Sequence, residues 1–417
     1  MKRISIRLAA ALIASAALGC STRFADVIVL GNVAGAGGAD AGSGGDVCLT
    51  HSETECASDT AHGCSFQPNP AGCLSTSASC GAGQCLADDP FVRRSGESLF
   101  LHGEPYRFFG TVSWWISWSE SGCYAVAYPS QEAALTPTFD AFATMHLSAL
   151  RFWAFQSYAG ASGTDYSHFD QVVARARAAG VRLIPVLENM SDSCSTSPGR
   201  DDAWFASGYK SPYGDYALSY REYVKGFVTH FRDEPTILAW ELLHEGTASD
   251  FGALDAFTDD ISSLIGGIDK HNHLIALGVN NGGNGATNTD GDNSNYYKLH
   301  AHDGIDLLDV HDFGSPDDAE PTQVARCRAI AHDLHKPIFV GAGAVDLGDP
   351  SASDTAYTQR AERVGRKIDA AQSDAFAGYL VYDYVPGWTV HNFDFDARAE
   401  ETLAGPNGTL AQRAAQF

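Results

Sequence analysis

From Phe91 onward, eight apolar runs alternate with amphipathic segments of helical length, and few folds can accommodate that order. The runs span residues 106–112, 147–155, 181–188, 236–243, 273–279, 305–313, 336–343 and 377–385. Strands that alternate with helices pair in parallel through crossover connections. Eight of them predict an α/β fold, a (β/α)8 TIM barrel. A doubly wound open sheet is the alternative, but GTVSWW after the first run is not the glycine-rich phosphate loop usual there.

The chain before the barrel divides into three segments of different composition. Residues 1–20 have the basic start, apolar run and small-residue end of a signal peptide, and the apolar run is too short for a membrane span. Cys20 at the end of ALGC predicts a lipoprotein signal, with ordinary secretion as the alternative. Residues 21–45 form a Gly/Ala-rich linker. The barrel is predicted for residues 91–417.

Six cysteines crowd into residues 46–90, a segment too short and polar to build a core. In an oxidising compartment they predict a small disulfide-rich module. A zinc site is the alternative, although the spacings contain no paired CxxC units. Cys123 and Cys194 follow strand ends and are candidates to bridge neighbouring loops, which would leave Cys327 as a buried free thiol.

The formal net charge of -24 argues against nucleic acid and anionic membrane surfaces as partners, because both require clustered Lys and Arg. We expect the protein to leave the cytosol and to act in the extracellular space or cell envelope as a monomer. Its contact with a membrane would be through a lipid on Cys20 alone.

Barrel active sites lie where strands end and the following loops begin. The fourth run ends in WELLHEG, which places Glu245 at the mouth of the barrel. A carboxyl group beside apolar and aromatic side chains can have a raised pKa, as a general acid requires. Glu245 is therefore the first candidate for catalysis, with a cap of the next helix as the structural alternative.

The stretch RDEPTILAWELLHE resembles the RDDPTIFAWELMNEP motif of glycoside hydrolase family 5, notably its β-mannanase-like members. The resemblance runs from about Phe91 to the C-terminus and implies a short β-hairpin before the first barrel strand. It implies that Glu245 is the acid/base catalyst, that Arg151 in LSALRFWAF holds the carboxylate of the nucleophile, and that His311 in DLLDVHDF lines the catalytic subsite. His244 replaces an asparagine that hydrogen-bonds the sugar's 2-hydroxyl in this family, and a ring nitrogen can still donate.

The seventh run departs from the family at the position that matters most. Family members end this strand with the nucleophilic glutamate, as in KPIFVGE, whereas KPIFVGA places Ala342 there. A retaining glycosidase needs two carboxyl groups about 5–5.5 Å apart, and alanine cannot form the glycosyl-enzyme intermediate.

Three explanations of Ala342 remain open. The alanine is a deliberate substitution, or the natural protein has lost catalysis and kept sugar binding, or another carboxylate acts in place of the missing glutamate. The other candidates at strand ends are Glu188, Asp312, Asp346 and Asp383. One of them would suit an inverting arrangement, whose carboxyl groups stand about 6.5–9.5 Å apart.

Aromatic residues follow the first and last strands and suit a polysaccharide cleft, because rings stack on the apolar faces of pyranosides. Trp114 and Trp115 follow the first run, and Tyr382 and Trp388 follow the last. Family resemblance implies that Tyr382 or Trp388 floors the catalytic subsite. We predict no metal and no cofactor, since no HExxH or comparable ligand spacing occurs. The absence of a GxSxG elbow argues against a Ser-His-Asp hydrolase.

We therefore predict an exported family 5-type glycoside hydrolase acting on β-1,4-linked polysaccharide, with mannan ahead of cellulose and other β-glucans. The alternative is a catalytically inactive carbohydrate-binding barrel, because the nucleophile is missing. A weaker alternative makes the cysteine-rich module an adhesion element carried by the barrel.

Overall fold

The computed structural model describes residues 64–68, 71–75, 89–117, 130–190, 200–279, 294–314, 317–348, 353–387, 392–397 and 400–417. The chain divides into two compact units, Met1–Asp88 and Asp89–Phe417. In the first unit, strands β1 (Cys64–Pro68) and β2 (Ala71–Ser75) pair in antiparallel fashion. The predicted signal peptide, the linker, and the cysteines at 123 and 194 lie outside the described residues.

The second unit begins with a small antiparallel sheet of three strands, β3 (Arg93–Ser95), β4 (Ser98–Leu101) and β5 (Glu104–Tyr106). Arg94 Nε lies 2.9 Å from Asp306 Oδ1, just before a barrel strand begins. The sheet therefore covers the amino-terminal end of the barrel. Its first two strands are the hairpin that the sequence predicts before the barrel.

Eight parallel strands follow, and one lies within each predicted apolar run. They are β6 (Phe108–Val112), β7 (Ala149–Trp153), β8 (Arg182–Val186), β9 (Ala239–Glu241), β10 (Leu274–Ala276), β11 (Leu308–Asp312), β12 (Ile338–Gly343) and β13 (Gly378–Val381). Their order in the sheet is β10-β9-β8-β7-β6-β13-β12-β11. A parallel bridge between Ala276 and Leu307 joins the two outer strands. The sheet is thus closed, and the predicted TIM barrel is confirmed.

Helices lie between the strands and after the last one, and each buries part of its surface. They are α1 (Gln131–Met145), α2 (Ser167–Ala179), α3 (Asp202–Ala206), α4 (Tyr220–Phe231), α5 (Phe251–Asp269), α6 (Asn295–His300), α7 (Thr322–Asp333), α8 (Asp354–Ser373), α9 (Glu401–Ala404) and α10 (Thr409–Ala414). Helix α4 starts with a capping box between Ser219 and Glu222, which satisfies backbone donors of its first turn. Its apolar side chains recur three or four residues apart, so they share the buried face.

Cys327 lies on α7, is fully buried and is a free thiol, as the sequence predicts. Burial raises the pKa of this thiol to about 12, so it stays protonated and packs as a small apolar group. Among the described residues, no helix has both the length and the apolar character needed to cross a membrane.

Several charged side chains that enter the interior of the described barrel form ion pairs. Asp312, at the end of β11, accepts two hydrogen bonds from Lys367 Nζ at 2.8 and 2.9 Å, and both side chains are buried. Burial raises the pKa of Asp312, and the lysine opposes that shift. Since α8 supplies Lys367, this pair ties the helix to the mouth of the barrel.

We expect Lys367→Met to lower the free energy of unfolding by about 3–5 kcal/mol, because it leaves the Asp312 carboxylate buried without a counter-charge. Arg366→Met, on the exposed side of the same helix, removes only a surface contact to Asp317 and should cost about 0.5 kcal/mol or less. Denaturant unfolding of both variants measures the difference. Equal losses would mean that the buried pair contributes nothing beyond side-chain packing.

Candidate active site

Glu245 lies just past the end of β9, where the chain turns sharply. Its φ is +53°, in the left-handed region that non-glycine residues rarely adopt. The turn is fixed on both sides: His244 N donates to Glu188 O at 2.7 Å, and Gly246 N donates to Gly278 O at 2.8 Å. The Glu245 side chain, 41% exposed, therefore projects into the mouth of the barrel. Strained backbone of this kind clusters at functional sites.

His311 on β11 is the partner of Glu245. Its Nδ1 lies 2.7 Å from Glu245 Oε1, and since a carboxylate only accepts, Nδ1 carries the proton. This hydrogen bond, opposed in part by burial, lowers the pKa of Glu245 to about 2. The sequence led us to expect a raised pKa at this carboxyl group, and that expectation is wrong for the unliganded site. At neutral pH the Glu245 carboxylate at the mouth is therefore ionised and accepts the hydrogen bond from His311.

Arg151 on β7 is fully buried and binds Glu241 on β9 in a bidentate ion pair. Burial lowers and the Glu241 carboxylate raises the pKa of Arg151, and the net shift is upward. Family resemblance implies that this arginine holds the carboxylate of a nucleophile. Here it holds Glu241 instead, so that expectation is corrected.

Arg151 also places His244. Arg151 Nη2 lies 3.3 Å from His244 Nδ1, and because a guanidinium only donates, Nδ1 must accept. Burial, and then the positive charge of Arg151, holds the pKa of His244 well below its ordinary value, so the ring is neutral. Its proton therefore sits on Nε2. Partly exposed His244 keeps one ring donor, as expected of a replacement for asparagine.

Ala342 lies at the carboxyl end of β12, directly beside His311 in the sheet register. Since His311 binds Glu245, position 342 belongs to the same site, as the sequence predicts. The alanine is 1% exposed. Among the described residues, Arg151 Nη1 is buried and has no hydrogen-bond acceptor. The site therefore retains an unused arginine donor and lacks the carboxylate that the family places at position 342.

Asp309 is a site residue that the sequence analysis missed. It is fully buried on β11, and its Oδ1 accepts from Gly278 N at 3.1 Å. Its Oδ2 lies 3.6 Å from His311 Nε2. Burial, and next the charge of Glu241, raises the pKa of Asp309 to about 7. Side chains alternate between the two faces of a strand, so residues 309 and 311 share one face. That alternation could have identified Asp309 from the sequence.

The four alternative carboxylates have other surroundings. Glu188 forms a buried ion pair with Arg200 at 2.9 Å, and Asp312 is bound by Lys367. Asp346 is exposed and accepts from Gly348 N. Asp383 is buried, and burial followed by the charge of Asp394 raises its pKa well above the ordinary value, which favours the protonated acid.

The predicted aromatic residues divide between core and mouth. Trp115 is buried, and its Nε1 donates to Tyr384 O at 3.1 Å, which corrects the prediction that it contacts substrate. Trp114, 7% exposed, packs on Trp153, whose ring lies 5.2 Å from that of His244. Trp153 thus packs beside the ring of His244, and Trp114 packs on Trp153.

Tyr382 is partly exposed and packs edge-to-face against Phe313, with ring centroids 5.6 Å apart. Phe313, 37% exposed, also contacts Phe393 and lies near His311. The sequence analysis missed Phe313, although it stands two positions after His311. Trp388 lies outside the described residues.

A cavity of about 620 Å³ lies at the opposite, amino-terminal end of the barrel, between Glu97, Tyr106, Lys336 and Phe417. That end of a TIM barrel serves stability, whereas catalytic groups gather at the carboxyl ends of the strands. We therefore assign the site to the mouth. Within the described ranges, no group of three or more His, Cys, Asp or Glu side chains is placed to hold a metal ion.

Sequence comparison relates the chain to plant enzymes. Mannan endo-1,4-beta-mannosidase 2 of Oryza sativa subsp. japonica is 30% identical over 221 residues, which cover 46% of this chain and 47% of that protein. The chain thus spans about half the length of this relative. Mannan endo-1,4-beta-mannosidase 7 of Arabidopsis thaliana is 26% identical over 301 residues, covering 61% of this chain and 68% of that protein. No family model matches the chain.

Solved structures share the fold. An endo-beta-1,4-mannanase from Thermotoga petrophila superposes with a TM-score of 0.59 at 17% identity, covering 76% of this chain and 77% of that one. A glycoside hydrolase family 5 mannosidase from Rhizomucor miehei gives 0.55 at 14% identity, covering 78% and 96%. The predicted resemblance is confirmed: the chain is similar in sequence to mannan endo-1,4-beta-mannosidases and in fold to family 5 enzymes.

We expect His311→Leu to raise the pKa of Glu245 from about 2 toward its ordinary value near 4.3, because the substitution removes the proton donor that stabilises the carboxylate. A ¹³C NMR titration of the Glu245 carboxyl carbon, assigned with Glu245→Gln, measures this pKa. His302→Asn is the matched control, since His302 pairs with Asp255 outside the site. An unchanged pKa in the leucine variant would contradict the assignment.

Proposed function

We propose that the protein is a family 5-type glycoside hydrolase that acts on β-1,4-linked polysaccharide, with mannan ahead of cellulose and other β-glucans. One observation carries the proposal: Glu245 stands at the end of β9, is bound by His311, and lies in one site with position 342. The relatives named mannan endo-1,4-beta-mannosidase support mannan as the first substrate.

Glu245 acts as the acid/base group in this proposal. Its carboxylate is partly exposed at the mouth of the barrel. His244 offers its Nε2 proton to a sugar hydroxyl, while Tyr382 and Phe313 supply ring surface for a pyranoside. Because Ala342 presents only a methyl group, no glycosyl-enzyme forms there. Direct attack of water on the anomeric carbon, with inversion, requires a second carboxylate that takes the proton of the water.

A second function, binding of the polysaccharide without turnover, is favoured by the same alanine. Glu188 and Asp312 are held in buried ion pairs, and Asp309 is fully buried, so none of these carboxylates replaces the missing glutamate at position 342. The aromatic and hydrogen-bonding groups for sugar binding do not depend on that glutamate. Turnover and binding must therefore be measured separately.

We expect Ala342→Glu to raise mannan hydrolysis by about 10³-fold or more, because it restores a second carboxyl group and gives Arg151 Nη1 an acceptor. Release of reducing sugar from mannan and carboxymethylcellulose measures the change in the full chain. The product of Ala342→Glu should have retained configuration, which ¹H NMR of the fresh product reports.

Two controls decide between hydrolysis and binding. Glu245→Gln should abolish hydrolysis in both backgrounds while leaving mannan binding in place. Asp346 is exposed and lies just after β12, the strand that carries Ala342, so Asp346→Glu should leave hydrolysis unchanged. Mannan binding without hydrolysis in the original chain and in Ala342→Glu would support the binding function. Absence of both would refute the proposal.

We further propose export to the extracellular space or cell envelope, a lipid on Cys20, a monomeric state and a disulfide-rich module over residues 46–90. The supporting observations are the signal-like residues 1–20 and the six cysteines of the module. Mass spectrometry of the mature N-terminus, with and without reduction, tests the lipid and the disulfides together. An unmodified Met1 would contradict the proposed export.

A further inference from the structure

Three aromatic rings meet at the mouth of the barrel beside the Glu245–His311 pair, and we call them the aromatic triad: Phe313, Tyr382 and Phe393. Phe313 packs edge-to-face with the other two, with ring centroids 5.6 Å from Tyr382 and 5.1 Å from Phe393. The rings of Phe313 and His311 stand 6.1 Å apart. The aromatic triad therefore adjoins the candidate active site.

The aromatic triad keeps apolar surface in contact with solvent. Among the described residues, Phe313 is the most exposed large hydrophobic side chain, at 37%. Tyr382 and Phe393 are each partly exposed. Single exposed apolar side chains are common on protein surfaces, whereas exposed apolar side chains that contact each other mark binding sites. Burial of these rings would stabilise the fold, so their shared exposure at the mouth points to a ligand.

Phe393 belongs to a short segment, residues 392–396, whose backbone is held at its start. Asn392 has a φ of +52°, in the left-handed region that non-glycine residues rarely adopt. Its carbonyl oxygen accepts hydrogen bonds from Leu347 N and from Arg360 Nη1, both at 2.8 Å. A rare backbone conformation persists where its surroundings fix it, and these two donors fix the residue directly before Phe393.

Arg360 on α8 holds the segment on both sides of Phe393. Its Nη1 donates to Asn392 O at 2.8 Å, and its Nη2 donates to Asp394 O at 2.5 Å. The same guanidinium forms a bidentate ion pair with Glu400, and both side chains are buried. A planar guanidinium presents its donors in a rigid fork, so Arg360 fixes the two carbonyl oxygens relative to each other.

We propose that Arg360 is a positioning residue that presents Phe393 to a pyranose ring of the polysaccharide, and that the aromatic triad is the subsite that binds this ring. The inference rests on the proposed function, since it takes the polysaccharide as the ligand. Arg360 is 2% exposed, so it acts through Phe393 and touches no substrate itself.

The surroundings of the aromatic triad favour a pyranose ring over other ligands that stack on aromatic side chains. The apolar face of a pyranose packs on the rings, while its hydroxyl groups can reach the His244 ring, which stands 5.7 Å from that of His311. Nucleobases also stack on such rings, but they carry phosphates. The 41% exposed Glu245 carboxylate and the net charge of -24 repel phosphates and leave a neutral polysaccharide unaffected.

We expect Phe393→Ala to raise the Kd of the full chain for mannohexaose about five- to tenfold, because it removes ring surface from the subsite. Isothermal titration calorimetry with mannohexaose and with cellohexaose measures binding without turnover. Phe91→Ala is the matched control, since the Phe91 ring is also partly exposed and packs edge-to-face on His273, at the amino-terminal end of β10. An unchanged Kd in Phe393→Ala would overturn the subsite.

Arg360→Lys keeps a positive charge beside Glu400 but loses the fork that binds two carbonyl oxygens at once. We expect this variant to raise the Kd for mannohexaose about threefold or more, and to have no further effect when Phe393 is already alanine. A lysine that weakened binding only by loosening the fold would add its effect to that of Phe393→Ala. Additive losses, or an unchanged Kd in the single variant, would overturn the positioning role.

Arg413→Lys is the matched control for this arginine. Arg413 on α10 also forms a bidentate ion pair with a neighbouring side chain, Asp369 of α8, and donates to the backbone oxygen of Gly365. Asp369 lies near the end of α8 that leads back to the amino-terminal end of the barrel, so Arg413→Lys should leave the Kd unchanged. Denaturant unfolding confirms that each variant is folded. A raised Kd in this control would overturn a role specific to Arg360.

A measurement without sugar separates failure of the inference from failure of the proposed function. In NMR spectra of the full chain with isotope-labelled phenylalanine, a nuclear Overhauser effect between the Phe313 and Phe393 rings reports their contact. We expect this signal in the original chain and its loss in Arg360→Lys, and its persistence there would overturn the positioning role. Binding of neither oligosaccharide by the original chain would refute the proposed function together with the subsite. Binding that survives unchanged in Phe393→Ala would refute the subsite alone.

Discussion

The buried ion pair between Arg151 and Glu241 holds the active-site geometry together. Both side chains are fully buried, and each would cost several kcal/mol if left alone in the interior. The pair joins β7 to β9 across the intervening strand, and Arg151 also fixes the tautomer of His244. Because His244 directly precedes Glu245, the position of Glu245 depends on a contact made deeper in the barrel.

The alanine at position 342 changes the electrostatics of the mouth as well as its covalent chemistry. A carboxylate there would raise the proton affinity of Glu245 and accept from the unused Nη1 of Arg151. Without it, His311 holds Glu245 ionised, and Asp309 lies buried on the same strand as His311. The alanine therefore leaves Glu245 with His311 as its hydrogen-bond partner.

Much of the fold could be read from the sequence because its signals are local. Each of the eight apolar runs contains a barrel strand, and strand ends identify the mouth. Glu245, His311 and Ala342 were placed in one site for that reason. The sequence could not show that the Trp115 ring is buried and the Phe313 ring exposed, because both residues follow strands and only packing decides burial. Residue type and spacing do not carry that information.

The sequence by itself determined the barrel, the place of Glu245 just past the end of its fourth strand and the alanine at position 342. Only the tertiary structure decided the charge on Glu245, the partner of Arg151 and the burial of Asp309 beside His311. The physical reason is that a pKa depends on burial and on charges a few ångströms away in space. Glu245 and His311 are 66 positions apart in the chain and 2.7 Å apart in the fold.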